Sequence, residues 1–326
     1  MKQFNFYREE AISFQNGHTK LAGLLCLPAS PGPFAAIAYV GGSGPAGRDG
    51  YGILHSHWEE FARRGIASLS WDKPGVGEST GDWKVQTNQD RASEVIAAVQ
   101  FLKGRNDIDP NKIGLWGISQ AGWILPIAYS ISPRDIAFMI AVSPPVSTGA
   151  QQELYRVEHG LPADGFSPAD TAKAVAFTKQ RLALMRKGTP YTAVAKLQSE
   201  VENESWFGPL GKLDEGTYEF LKANAFFSPR SLLEQITCPV LAIFGDKDTI
   251  VDFKESARVY ARALRKAGNR DVTIKIFPNA DHVIFPSKTG GGKELEQAFQ
   301  RPTKEFAPGY LETMGDWLQK RFVNTV

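Results

Sequence analysis

The sequence predicts an α/β protein: a doubly wound, mostly parallel sheet carrying an inserted helical cap. Three observations carry that expectation. Short continuous apolar runs, the mark of strands buried on both faces, alternate with helical patterns along most of the 326 residues. Glycine-rich turns follow two of those runs, at residues 41–50 and 117–122. The rhythm fails once, between Val142 and Val240, where helical patterns succeed one another without a good strand. That interval, about 90 residues, is too long for a single crossover helix with ordinary loops. It is therefore expected to cap the carboxyl edge of the sheet as residues 146–236. The core is then built from residues 1–145 and 237–326.

Alternating apolar and polar residues over 10–14 and 21–27 predict two antiparallel strands, joined by a turn at Asn16 and Gly17. Prolines at 28, 31 and 33 break the chain before a buried strand at 34–40. After the glycine-rich loop come a helix over 51–64, ended by Gly65, and a strand over 66–71. Asp72-Lys73-Pro74-Gly75-Val76-Gly77-Glu78-Ser79 reads as a turn. A helix over 90–103 carries its apolar stripe in Ala92, Val95, Ile96, Val99 and Leu102. The short run 113–116 enters the second glycine-rich turn, and a helix begins near Trp123. Strands at 136–142, 240–244 and 272–277, with helices at 252–266 and 310–321, complete the core. In the cap, helical patterns cover 168–187, 191–202 and 215–223.

Composition narrows the function. Hydrophobic residues make up 42% and charged residues 22%, as in soluble globular proteins. A net charge of +2 gives no reason to expect nucleic acid or an anionic membrane as partner. The first ten residues lack an apolar signal core, and no apolar run is long enough to span a bilayer, so a cytoplasmic protein is expected. Cys26 and Cys238 sit in strand-like surroundings and read as buried, reduced thiols. No His, Cys or carboxylate cluster has metal-ligand spacing, and no metal is expected.

Chemistry concentrates at Gly117-Ile118-Ser119-Gln120-Ala121-Gly122. A strand that turns sharply into a helix with Ser at the corner is the nucleophile-elbow arrangement, and small residues are needed beside the corner because strand and helix pass so closely. A serine hydroxyl needs a base, and the base needs an orienter. Of the five histidines, His18, His55 and His57 precede Ser119, and His159 lies in the cap. His282 alone lies in a loop after a late sheet strand, and is assigned as base. The acid is expected just past the 240–244 strand. There Asp246 suits a turn and Asp252 a helix N-cap, leaving Asp248 to reach the histidine. The stretch after the preceding strand, residues 143–147, holds no carboxylate. Two backbone N–H donors must receive the oxyanion. Gln120, at the helix start, supplies one, and Ser43 of the first glycine-rich loop the other, with Gly42 next.

Other features invite two readings. Arg48 and Asp49 either anchor the loop by a local ion pair or meet substrate, and anchoring is favoured. Trp83, Trp206 and Phe207 are candidates to line a substrate pocket beneath the cap, or simply pack. The run Thr289-Gly290-Gly291-Gly292 is either a mobile excursion near the site entrance or a plain surface loop.

In this order, Gly-Gly-Ser-Gly-Pro at 41–45, Asp-Lys-Pro-Gly-Val-Gly-Glu-Ser at 72–79, Gly-Ile-Ser-Gln-Ala-Gly at 117–122, Gly-Asp-Lys-Asp at 245–248 and Asp-His at 281–282 resemble the α/β-hydrolase superfamily. The likeness covers nearly all of the chain except the cap. It is closest to the esterase, thioesterase and serine-aminopeptidase-like branch. The resemblance implies the α/β-hydrolase fold, a Ser119–Asp248–His282 triad and no cofactor. The expected partner is a small-molecule ester, cleaved through an acyl-enzyme. A thioester, or an amide in an aminopeptidase-like reaction, is the alternative on the same triad. For the latter, Glu202, Glu204 and Asp214 are the cap carboxylates available to hold an ammonium group. The complete triad argues against a non-enzymatic binding protein. Two departures stand out: relatives usually have His-Gly where this chain has Gly41-Gly42, and Gly where it has Ala121.

Overall fold

The computed structural model describes residues 2–3 and 6–323 and gathers nine strands into one sheet. They are β1 Lys2–Gln3, β2 Tyr7–Asn16, β3 Thr19–Pro28, β4 Phe34–Val40, β5 Ile66–Trp71, β6 Ile108–Ile118, β7 Met139–Val142, β8 Val240–Gly245 and β9 Val272–Phe277. Across the sheet they run β1-β2-β3-β5-β4-β6-β7-β8-β9. The first four in that order pair antiparallel, and every pairing from β5 to β9 is parallel.

Burial follows from this layering. Every residue of β4, β5, β7 and β8 is buried, because helices cover both faces. On one face lie helices Leu54–Arg63 and Tyr310–Leu318, which contribute Trp58, Phe61, Met314 and Leu318 to a cluster with Ile37, Trp116 and Ile140. On the other lie helices Asn88–Lys103, Ala121–Ile131 and Phe253–Lys266, which supply Val95, Val99, Ile124 and Leu264 against Leu69, Leu115 and Ala242. Only Phe277, the last residue of edge strand β9, is buried. Cys26 and Cys238 are free, buried thiols.

The chain leaves β4 for β5 on one side and returns to β6 on the other, so β4 and β6 are neighbours where the winding direction reverses. Ligands of open parallel sheets bind beyond the carboxyl ends of the strands at such a switch point. The loop after β4 and the turn after β6 are the two predicted for chemistry.

Several boundaries differ from the sequence reading. The 136–142 strand begins only at Met139. The helix expected from residue 51 begins at Leu54, after Tyr51 with φ +60. Between β7 and β8 the chain is helical throughout its regular structure, and its first helix, Gly149–Ala163, was not expected. Pro162 and two glycines hide it, although Thr148 and Gln151 form a full capping box at its start. No helix among the described residues is long and apolar enough to cross a membrane.

Candidate active site

Ser119 stands between β6 and helix Ala121–Ile131 with φ +57, a left-handed conformation that a non-glycine residue adopts only when its surroundings enforce it. Two backbone bonds do so: Ser119 N–H donates to Val142 O at 3.0 Å, and Gly122 N–H donates to Ser119 O at 2.8 Å. The small residues beside it have a measurable reason. A Cβ on Gly117 would stand 2.6 Å from the Cβ of Ala121, well inside the ~3.5–4.0 Å of an ordinary carbon contact. The pair has room for one methyl group, and Ala121 holds it, so the departure from Gly is absorbed by Gly117.

Asp248 is buried in the loop after β8. Its Oδ1 accepts N–H bonds from Ile250 and Val251, both at 2.9 Å. Its Oδ2 takes the Nδ1–H of His282 at 2.8 Å. An acceptor-only carboxylate requires the proton on Nδ1, which leaves Nε2 as the ring's free base. Burial alone would push the His282 pKa down, but the Asp248 charge, its hydrogen bond and the Asp281 charge outweigh it and hold the imidazole above its ordinary value. Asp281 itself caps the His loop through Val283 and Phe285 N–H, and burial raises its pKa to about 6. Ser119 and His282 line the same cavity, of about 500 Å³. Ser119 makes no side-chain hydrogen bond among the described residues. Such bonds are often long in a substrate-free site and tighten with substrate bound.

The remaining predicted residues divide. Asp246 accepts Asn279 N–H at 2.7 Å, pinning the β8 loop to the β9 loop, and Asp252 caps helix Phe253–Lys266 through Glu255 N–H at 3.0 Å. His57 is buried among aromatic rings, bonded to Ile53 O and Tyr310 OH, with a pKa lowered to about 4 by burial. His159 lies exposed against the Tyr155 ring. Gln120 and Ser43 both line the cavity, as does Gly42, whose hypothetical Cβ would stand 3.3 Å from Ser119 Cβ.

Four readings need correction. Trp206 and Phe207 do not line the cavity; they are buried with Phe177, Val157 and Leu161 in a core internal to the cap. Trp83 packs edge-on against Phe220, and Phe220 is the one that faces the cavity. Arg48 pairs with Asp72 at 2.5 Å and Glu78 at 2.7 Å rather than with Asp49, so the 72–79 turn anchors the first glycine-rich loop. The 289–292 run is neither mobile excursion nor plain surface loop: Gly290 and Gly291 are buried. Thr249 Oγ1 donates to Gly290 O at 2.6 Å, and Lys293 N–H donates to Asp164 of the cap at 3.0 Å. Glu202, Glu204 and Asp214 lie away from the cavity and pair with Lys212, Lys173 and Lys84.

Sequence reasoning missed the buried charges around the cavity. Lys73 Nζ donates to Gly42 O, a very short bond, and to Gly44 O at 2.6 Å. Burial holds its pKa well below the usual lysine value, assisted by Arg91. Arg91 reaches Gly41 O at 3.4 Å and pairs with the fully buried Glu94 at 3.3 Å. Thus the glycine-rich loop hangs by its carbonyls from two buried basic side chains. In the cap, Glu153, Arg156 and Arg181 also line the cavity. A signal existed for Arg181: it falls in the buried stripe Ala174, Phe177, Thr178, Arg181, Met185 of helix Pro168–Arg186. Among the described residues, no group of three or more His, Cys, Asp or Glu is placed to hold a metal ion.

The family profile described as X-Pro dipeptidyl-peptidase (S15 family) matches residues 19–283. Esterase EstD of Thermotoga maritima is 23% identical over 287 residues, covering 86% of this chain and 61% of that protein. Thiohydrolase aneE of Aspergillus aculeatus is 29% identical over 138 residues, 41% of each chain. The chain thus spans less than two thirds of the length of either relative. Among solved structures, the Pyrococcus furiosus esterase Pf2001 superposes with a TM-score of 0.58 at 19% identity, covering 97% of this chain and 93% of that one. The fold is that of the α/β-hydrolase superfamily.

Proposed function

The chain belongs to the X-Pro dipeptidyl-peptidase (S15) family, and from that premise we propose that it is a serine hydrolase of carboxylic esters. The observation that carries the reading is a base held by a buried acid, His282 on Asp248 at 2.8 Å, on the same cavity as a serine locked at φ +57. Ser119 Oγ attacks the acyl carbon as its proton passes to His282 Nε2. The imidazolium, stabilised by Asp248, then protonates the departing alkoxide and leaves an acyl-serine. Water, deprotonated by the same imidazole, releases the acid.

The oxyanion is received by Gln120 N–H at the helix start, where the first N–H groups have no partner within the helix, and by Ser43 N–H. Support for Ser43 comes from Lys73. In a trans peptide the C=O and N–H of one unit point in opposite directions. Lys73 grips the Gly42 carbonyl, which fixes the orientation of the peptide unit that carries the Ser43 N–H. The helical segment 146–236 acts as the cap that shapes the acyl site.

A thioester substrate is the second reading, favoured by the likeness to a thiohydrolase. An N-terminal peptidase is less well served. The one carboxylate among the cavity-lining residues, Glu153, is taken by two arginines and offers nothing to an ammonium group. The test is turnover of 4-nitrophenyl esters beside the matching thioesters and amino-acyl anilides. Esters are expected to be cleaved fastest, and Ser119→Ala should abolish cleavage with the fold intact. Full activity in that variant would refute the assignment.

A further inference from the structure

The cavity over Ser119 is lined by five cationic side chains, Arg48, Lys73, Arg91, Arg156 and Arg181, and one carboxylate, Glu153. On the core side the cations have partners: Arg48 is held by Asp72 and Glu78, Arg91 by Glu94, and Lys73 by loop carbonyls. The cap side is different. Glu153 receives Arg156 Nε at 2.8 Å and Arg156 Nη2 at 2.9 Å, and also Arg181 Nη2 at 3.0 Å. Two guanidinium ions therefore share a single carboxylate. Asp164, whose charge also reaches Arg156 from a distance, accepts the Lys293 backbone N–H and makes no ion pair with either arginine among the described residues. Their other partners are the Pro209 and Gly211 carbonyls at 3.4 Å, which carry no charge. Arg181 has only 3% of its side chain exposed, so water does little to screen it. A buried cation without its own counterion is costly, and a planar guanidinium is shaped to take a carboxylate by two parallel bonds.

We propose that Arg156 and Arg181 form an anion subsite in the substrate cavity, and that the preferred ester carries a free carboxylate remote from the scissile bond. This rests on the ester-hydrolase reading above. The carboxylate arrives with either half of the substrate: on the acyl chain, as in a half-ester of a dicarboxylic acid, or on the alcohol, as in an acylated hydroxy acid. An incoming carboxylate becomes the second counterion of the pair, so that two anions face two cations.

The test compares isosteric charged and neutral esters. For the acyl side these are mono-4-nitrophenyl adipate and 4-nitrophenyl hexanoate. For the alcohol side they are 6-acetoxyhexanoate and hexyl acetate. The charged member of one pair is expected to have a kcat/KM about tenfold to a hundredfold higher, the range of a charge-assisted bidentate contact. Arg181→Gln and Arg156→Gln should each collapse that ratio. Glu153→Gln should raise it, because it removes the competing carboxylate and keeps a side chain of the same shape. A merely structural ion pair would not produce that gain. A ratio at or below one in both pairs, or a Glu153→Gln variant whose ratio does not rise, would overturn the proposal. Calorimetric titration of Ser119→Ala with the same compounds reads the subsite without turnover. Tighter binding of a charged member there, with no wild-type ester cleavage, would sustain the subsite and sink the hydrolase reading. Equal binding would sink the subsite.

Discussion

Lys73→Met is the most searching single change outside the triad. It keeps an unbranched side chain one atom shorter and deletes the donor that holds Gly42 O and Gly44 O. If the Ser43 N–H then lost its aim entirely, the cost would be that of one oxyanion donor, about 2.7–4 kcal/mol, or 10²–10³ in kcat. The loop keeps other fastenings: Arg91 on Gly41 O at 3.4 Å, Arg48 N–H on Asp72 at 2.7 Å, and Lys73 N–H itself on Ala46 O at 3.2 Å. A partial loss, about tenfold to a hundredfold in kcat with KM little changed, is therefore expected. Stability is pulled in two directions. Two carbonyls lose a donor at about 1–3 kcal/mol each. The variant is also relieved of a buried amine, and it leaves the Arg91–Glu94 pair electrically balanced. The assay is steady-state hydrolysis of 4-nitrophenyl butyrate, paired with the inhibition constant of a trifluoromethyl ketone, which forms the tetrahedral adduct. Inhibitor affinity should fall in step with kcat. A folded Lys73→Met with kcat within about twofold of wild type would refute the idea that this lysine aims the oxyanion donor.

Further outcomes test the rest of the site. In the proposed mechanism His282 acts as base only when neutral, and its pKa is held above the ordinary 6.5, so kcat/KM should rise with pH through an inflection above that value. Asp248→Asn should lower the inflection and cut kcat by about 10⁴, as loss of the orienting acid does in such triads. Because the folded pKa is the raised one, the contribution of His282 to stability is full below its unfolded pKa and lost as pH rises through the folded value. A urea midpoint measured across that window should fall as activity climbs. Separately, Gly117→Ala forces a methyl to 2.6 Å from Ala121 Cβ. Overpacking of this kind costs about 1–3 kcal/mol and should lower the urea midpoint and activity together. Gly117→Ala with Ala121→Gly should restore most of both, leaving the 3.1 Å approach to Leu125 Cδ1, and no recovery at all would mean the Ala121 contact is not the cause.

The parts of the molecule legible in its sequence are those where one local rule decides. β4, β5 and β8 announce themselves by unbroken apolar runs, since helices cover both faces. Ser119 and His282 are legible because the elbow and the loop after the last strand each offer one residue of the right chemistry. Asp248 emerged by assigning its neighbours Asp246 and Asp252 to turn and cap, the roles their hydrogen bonds show. Trp206 and Phe207 misled because an aromatic pair looks the same in sequence whether it faces a cavity or fills the interior of a helical insertion. The buried cations were invisible for a similar reason. Lys73, Arg91, Arg156 and Arg181 acquire their place at the cavity from partners that include carbonyls and carboxylates tens of residues away.

The glycines after the histidine loop join two parts that the sequence separates widely. A Cβ on Gly290 would lie 1.7 Å from Lys247 O, one residue before the acid, and a Cβ on Gly291 would lie 2.3 Å from Asp164 Oδ1, at the end of helix Gly149–Ala163. That helix also carries Glu153 and Arg156. The acid loop and the substrate-facing helix thus share a rivet, and neither can shift far without loading the other. For anyone grafting a new cap onto this core to change its selectivity, the practical boundary is not the pair of chain crossings before and after the insertion. Asp164 and the 289–293 loop form a third seam, which must be transplanted together or redesigned as one piece.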